Sequence, residues 1–279
     1  MPRRTRVLAC LLALAVLAGC SGTQFFYNRL DVLLPWYLSR YVDLERGQRD
    51  ALKARVDAFL GWHRREELPR YAALLARMES ALDGRVAPHV VAGFALDAER
   101  AWERSRDRGL EELIALAGEL DAAQLAGFIE RLEEKQAEYE EEYLSRDDDE
   151  YREDACDRLV DTLEDNLGRL GRGREKRLCA LLSDLRRSDR AWLAERQRWI
   201  DWLATVLERE PGWEQRLVEG VRNWGETLPA DRRALYDHNS DLIFRVVAEA
   251  VESRSERQDR HLRRRLAGLR ADAVSLSAP

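Results

Sequence analysis

The 279-residue chain reads as an all-α protein, an elongated bundle of long antiparallel amphipathic helices. Three observations predict this class. Apolar residues recur at helical spacing through nearly every segment. No alternating apolar–polar run reads as a strand, and no turn dipeptide joins two β-branched runs. The stripes run to about thirty residues, long for a compact domain, which favours an elongated body over a sphere.

Residues 1–20 come first. Arg3, Arg4 and Arg6 precede an apolar run from Val7 to Ala18. As a helix this run spans roughly 18 Å, short of the ~30 Å hydrocarbon core of a bilayer. A basic start, a short apolar run and small residues before a cut describe a secretory signal peptide. Leu17-Ala18-Gly19-Cys20 resembles a bacterial lipobox. That resemblance implies cleavage between Gly19 and Cys20 and acylation of Cys20, which ties the mature chain to a membrane. Ser21 stands where an aspartate would favour the inner membrane, so the outer membrane and a body facing the periplasm are expected. An ordinary signal peptide with a chance cysteine, and an uncleaved span, are the competing readings. One acyl chain holds only marginally, at about 0.8 kcal/mol per buried methylene, and two or three hold firmly.

The helices follow in order. Leu52, Val56, Phe59 and His63 share one face, and Tyr71, Leu74, Leu75, Met78 and Leu82 repeat it after Pro69, until Asp83-Gly84 stops it. Between these two runs, "WHRREELPRY" (62–71), with Trp62, His63, Arg64, Glu67, Pro69 and Tyr71, is expected to form a structural corner, Trp62 buried, arginines and glutamates paired across the turn, and Pro69 starting the next helix. Phe94, Ala98, Trp102, Leu110, Leu113 and Ala117 continue, with Gly109 as a weak point. Leu125 to Tyr143 is the next stripe, and Leu159 to Leu167 extends it past "SRDDDE". The longest runs from Leu178 to Leu207 and ends at Pro211-Gly212. Trp213 to Trp224 is a short helix, and the last runs from about Asp231 to Leu269. Residues 20–270 thus form the helical domain, and 271–279 a loose, small and polar tail.

Two helix starts carry a mechanism. In "LDAAQL" (120–125), Asp121 caps, Gln124 reaches back and Leu120 staples onto Leu125. "LERGQ" (44–48) has the same Leu-x-x-x-Gln spacing, with Asp43 or Glu45 as its cap. The spacing resembles the Leu-Thr-x-x-Gln element of small periplasmic stress chaperones, which are helical cradles; helix initiation alone also explains it.

Cys156 and Cys179 flank "GRLGRG" (168–173), which should break a helix. A helix hairpin turning there would bring them together, and disulfides persist in an oxidising compartment. A bond and two unpaired buried thiols are both open at this point.

Loss of residues 1–19 removes three arginines and takes the formal charge from −6 to −9, which argues against nucleic acid as a partner. Eight tryptophans supply large buried areas or interface anchors. The acidic run within 130–154 reads as a solvated face, and the Arg-rich stretch 254–265 as its counterweight, within the fold or across a homo-oligomer.

His63 and Glu67 stand four apart, a spacing able to hold a metal, but no Glu-x-x-His or His-Glu-x-x-His accompanies them. No Gly-x-Ser-x-Gly elbow or phosphate-binding glycine pattern occurs, so no catalytic, cofactor-binding or metal residue is assigned.

Tyr27-Asn28, Tyr41-Val42-Asp43-Leu44, Gln48, Trp62-His63-Arg64 and Leu68-Pro69-x-Tyr71 together resemble the start of a family of proteobacterial lipoproteins, the domain of unknown function 6279. The likeness is specific over about residues 20–75 and implies lipidation and a helical fold. It carries no catalytic residue. The functional expectation is an outer-membrane lipoprotein acting as a periplasmic helical scaffold or chaperone-like module on envelope partners or clients. The alternatives are an envelope enzyme acting on cell-wall or lipid material through His63, Glu66 and Glu67, and a purely structural envelope component.

Overall fold

The computed structural model describes residues 20–278. The signal segment and Gly19 lie outside it. Among the described residues there are eleven α-helices and no strand. In order they are α1 (Cys20–Tyr27), α2 (Leu30–Leu38), α3 (Arg46–Ala81), α4 (Pro88–Glu119), α5 (Ala122–Leu144), α6 (Asp148–Leu167), α7 (Arg172–Ala180), α8 (Asp189–Val206), α9 (Trp213–Asn223), α10 (Ala230–Glu252) and α11 (Glu256–Ser277). A short 3-10 turn, Trp224–Thr227, follows α9.

α3 and α4 form the spine. They run antiparallel: Arg55 pairs with Glu112 and Glu119 near one end, and Arg77 with Asp97 near the other. The 36 residues of α3 give a helix of about 54 Å, so the bundle is long, as expected. α11 packs along α3, and α5 along α8.

Among the described residues four apolar clusters build the interior, two of them large. One joins the first half of α3, the second half of α4, and α5, α8 and α9, around Val56, Leu60, Leu116, Leu132, Ile200 and Trp213. The other joins α6, α7 and α10 around Leu163, Leu167, Leu178, Leu242 and Val246.

Several expectations fail, each because a second element decides. The corner at 62–71 does not form, and α3 continues through Pro69. Proline removes one backbone donor and crowds the carbonyl four residues back. Here that carbonyl belongs to Arg65, and both residues lie on the exposed face. Glu67, Leu68 and Ala72 are buried on either side of Pro69 in sequence and anchor this part of the helix to its neighbours.

α5 does not run on into α6. Asp147 caps a fresh start, accepting the Asp149 and Glu150 amides at 2.9 Å each. The Leu178–Leu207 stripe is two helices, because Leu178, Leu182 and Leu185 belong to one core and Ile200, Leu203 and Val206 to the other. Asn239 of α10 secures the bend between them. Its Oδ1 accepts the Arg186 amide at 3.0 Å, and its Nδ2 donates to the Arg186 carbonyl at 2.7 Å.

The last stripe also breaks, at Ser255, which forms a capping box with Gln258 and opens α11. That helix continues through the tail expected to be loose, and Asp272, Ala273 and Leu276 are buried. In α4, Leu110 of the expected stripe is buried, but Trp102 and Leu113 face outward, and Ala95, Ala101 and Leu116 complete the inward face.

Gly168 and Gly171 sit at φ 75° and 83°, backbone that glycine adopts without steric cost, and they turn α6 back on α7. Cys156 and Cys179 are joined across this hairpin as a disulfide, with Cα atoms 5.4 Å apart. Charge pairing differs from expectation. Arg263 of the Arg-rich stretch pairs with Asp83 and Asp259, and Arg254 with Asp259. The acidic run finds other partners, Asp154 pairing with nearby Arg146 and Asp148 with Arg187, 39 positions away.

Candidate functional site: an aromatic stripe and its mount

α1 and α2 are apolar on two faces. Tyr27, Leu30, Leu34, Leu38 and Tyr41, spaced by three or four, pack against the first core. Phe25, Phe26, Val32, Leu33, Trp36 and Tyr37 form the second stripe and face solvent, Phe26 at 63% and Trp36 at 58% exposure. These six are more than half of the eleven large apolar side chains exposed among the described residues. The stripe is therefore a concentrated patch, unlike the single exposed apolar side chains normal on protein surfaces. Two arginines lie along it. The Arg29 guanidinium is 5.4 Å from the Phe25 ring centre, and that of Arg40 is 5.7 Å from the Trp36 ring. Cys20, the residue expected to be acylated, is the first residue of α1.

Helices this short are marginal alone, and a mount on the body holds them. Tyr27 Oη lies 2.9 Å from His63 Nδ1, and the other ring nitrogen, Nε2, lies 3.3 Å from Tyr71 Oη. Tyr71 Oη in turn lies 3.5 Å from Ser105 Oγ on α4. Next to this chain Arg64 donates to Asn28 Oδ1 at 3.0 Å and sits 5.3 Å from the Tyr27 ring centre. On the other side Gln24 Nε2 donates to Asp272 Oδ1 of α11 at 2.7 Å. The α1–α2 segment is thus fastened to α3 and α11.

One helical turn along from His63, Glu67 is fully buried, at 0% exposure. Arg104 of α4 donates to both its oxygens at 2.7 Å, and Arg70 to one of them at 2.7 Å. A buried carboxylate requires such pairing. Glu66, the other carboxylate of the motif, points to solvent and meets Arg70 at 3.8 Å. Trp62 is half-buried, with its ring centre 5.7 Å from that of Phe59 and 6.2 Å from that of His63.

The electrostatics follow from burial. Desolvation lowers the pKa of His63, with nearby Glu67 opposing. Burial pushes the Tyr27 phenol up to about 12 against the pull of Arg64. It raises that of Tyr71 too, against the Ser105 hydrogen bond. Near neutral pH the chain Tyr27–His63–Tyr71 is therefore uncharged, one imidazole nitrogen donating and the other accepting. Such a chain orients groups and holds elements together. Both nitrogens of His63 and both oxygens of Glu67 are already engaged, so the His63–Glu67 spacing works as part of the mount.

A shallow recess of about 300 Å³ opens beside the mount between Asn28, Asp31, Asp57 and Arg64. A second, of about 200 Å³, lies by Tyr41, Asp121, Gln124 and Arg131.

The motif Trp62, His63, Arg64, Glu67 and Tyr71 thus comes together, and it does so along one continuous helix instead of at a turn. Sequence reading missed the outward stripe. Its signal was present: within a strongly charged chain, residues 25–38 are apolar at positions covering both faces of a helix.

Residues 40–233 match a family described as "Family of unknown function (DUF6279)". The match reaches far beyond residue 75 and starts after the Tyr27-Asn28 pair. No curated protein and no solved structure matches the chain. The match covers most of the chain, which belongs to that family.

Proposed function

We propose that this member of the DUF6279 family is an outer-membrane lipoprotein facing the periplasm, tethered through Cys20, whose helical body is a scaffold or chaperone-like module that binds envelope proteins. One observation carries the reading: the segment that begins at Cys20 is fastened to the body at Tyr27, Asn28 and Gln24. A flexible tether would need no such fastening. A fastened one sets the body at a defined angle to whatever holds Cys20, which suits a protein that presents surfaces to partners. Binding is favoured over an envelope enzyme because Glu67 and His63, the best acid–base pair in the motif, are spent on structural contacts.

Intact cells expressing the full chain test this. Palmitate labelling should mark the wild-type protein and not a Cys20→Ala variant, and the wild type should fractionate with the outer membrane. Crosslinking in those cells should recover the same envelope proteins repeatedly. An unlabelled, soluble wild-type protein overturns the tether. Labelled protein without crosslinked partners overturns the scaffold role and leaves a purely structural envelope component. A phenotype abolished by His63→Gln and Glu67→Gln at unchanged protein level overturns binding in favour of catalysis.

A further inference from the structure

Among the described residues nothing covers the outward stripe of α1–α2. Its inward counterpart already fills the core groove, so the stripe is not a core face turned the wrong way. Its composition is that of a membrane interface. Trp36 and Tyr37 are side chains with an apolar body and a polar tip, which concentrate at the headgroup level. Arg29 lies against the Phe25 ring and Arg40 against that of Trp36, and long basic side chains so placed cover apolar surface while their heads reach anionic groups. Each helix is two or three turns long, and among the described residues no helix is long and apolar enough to cross a membrane. A short apolar face with basic residues beside it lies in the interface plane. The stripe also starts where a membrane would be nearest, since Phe25 is only about one and a half helical turns past Cys20.

We propose that Phe25, Phe26, Val32, Leu33, Trp36 and Tyr37 seat in the headgroup–acyl boundary of a phospholipid leaflet, with Arg29 and Arg40 on anionic headgroups. The protein then rests on the membrane through this face and does not merely hang from Cys20. The inference rests on the tether reading and goes beyond it by assigning a second, non-covalent contact. That contact, acting with the mount, sets the orientation of the body.

The mature protein, purified from membranes and reconstituted in vesicles of phosphatidylethanolamine and phosphatidylglycerol with brominated acyl chains, provides the test. Its fluorescence should be quenched, and most of that quenching should vanish in a Trp36→Phe variant. Backbone amides of residues 22–38 should exchange about tenfold more slowly with vesicles than in detergent-free buffer. A Phe25→Ser, Phe26→Ser variant, altered only at exposed positions, should keep its helical circular dichroism and lose that protection. Equal quenching with and without Trp36, or exchange indifferent to vesicles, overturns the proposal. So does a vesicle-free dimer that protects residues 22–38, which would make a second copy the occupant. The mass of the residue-20 peptide separates the two readings. Acylated protein without Trp36 quenching sinks the seat and spares the tether. Unacylated protein whose Trp36 is quenched by added vesicles does the reverse.

Discussion

Gln48 and Gln124 form a closed amide pair across the junction of two helix starts. Gln48 Nε2 donates to Gln124 Oε1 at 3.0 Å, and Gln124 Nε2 donates back to Gln48 Oε1 at 2.7 Å. Each Oε1 also accepts the amide of its own N-cap, Glu45 at 2.8 Å and Asp121 at 3.0 Å. Each Nε2 also donates to the backbone carbonyl five residues before the other glutamine, Glu119 at 3.0 Å and Asp43 at 2.7 Å. The arrangement is a local two-fold, and every amide donor and acceptor is satisfied.

Because the two amides satisfy each other, their losses should not add. Gln48→Ala and Gln124→Ala should each lower unfolding free energy by about 1–2 kcal/mol, with a coupling on the order of 1 kcal/mol in the double variant. Urea unfolding of the four proteins of the cycle measures this. Strict additivity would mean that the amides act only as separate caps.

His63 should make stability depend on pH in one direction. The unfolded histidine titrates near 6.5, and burial lowers the folded value beneath that. Between the two values the unfolded chain binds more protons than the folded one, so stability falls as pH drops through 6.5 and levels off below the folded value. Denaturant melts from pH 7.5 to 5 should show this slope, and a His63→Gln variant should lose the part due to His63. A slope unchanged in the variant would place the pH dependence elsewhere.

Gly220 is where α9 meets Trp202 of α8. A Cβ built there falls 2.0 Å from Trp202 Cζ2 and 2.7 Å from Cη2. The indole is itself packed on Trp224 at 5.3 Å between ring centres, which limits its retreat. Gly220→Ala should cost about 1–3 kcal/mol by overpacking, and in a Trp202→Leu background the same substitution should cost little. Thermal melts of the four proteins decide it.

The Cys156–Cys179 bond closes a loop of 23-residue separation, which in the chain-entropy account is worth about 3 kcal/mol. Reductant should lower the Tm of the wild type and leave that of Cys156→Ser unchanged. On a non-reducing gel the wild type should run faster than the variant. Identical mobility and identical melts would show two free thiols.

Local chemistry was legible where it acts within one turn. The Asp121–Gln124 capping box and the glycine break at 168–171 follow from residues next to each other. Leu120 and Leu125 meet in one core as the staple requires. Ser255-x-x-Gln258 carries the same signal as Asp121-x-x-Gln124, but it is hidden inside a long apolar stripe. The mount was half legible. Its residues stood out as a motif, but their partners Asn28, Ser105 and Arg104 lie 34 or more positions away, and the Gln24–Asp272 contact spans 248.

The order of residues alone dictates an all-helical chain, its capped starts and its glycine turns, because propensity, capping and apolar period are properties of a few neighbouring residues. Contacts between distant elements settle the rest: that α3 runs through Pro69, that α11 carries the final residues to Ser277, and that one face of α1–α2 is left to solvent. An apolar stripe records that a face seeks a partner, and it does not record which one. The energy that straightens, bends or strands a helix comes from the neighbour that arrives.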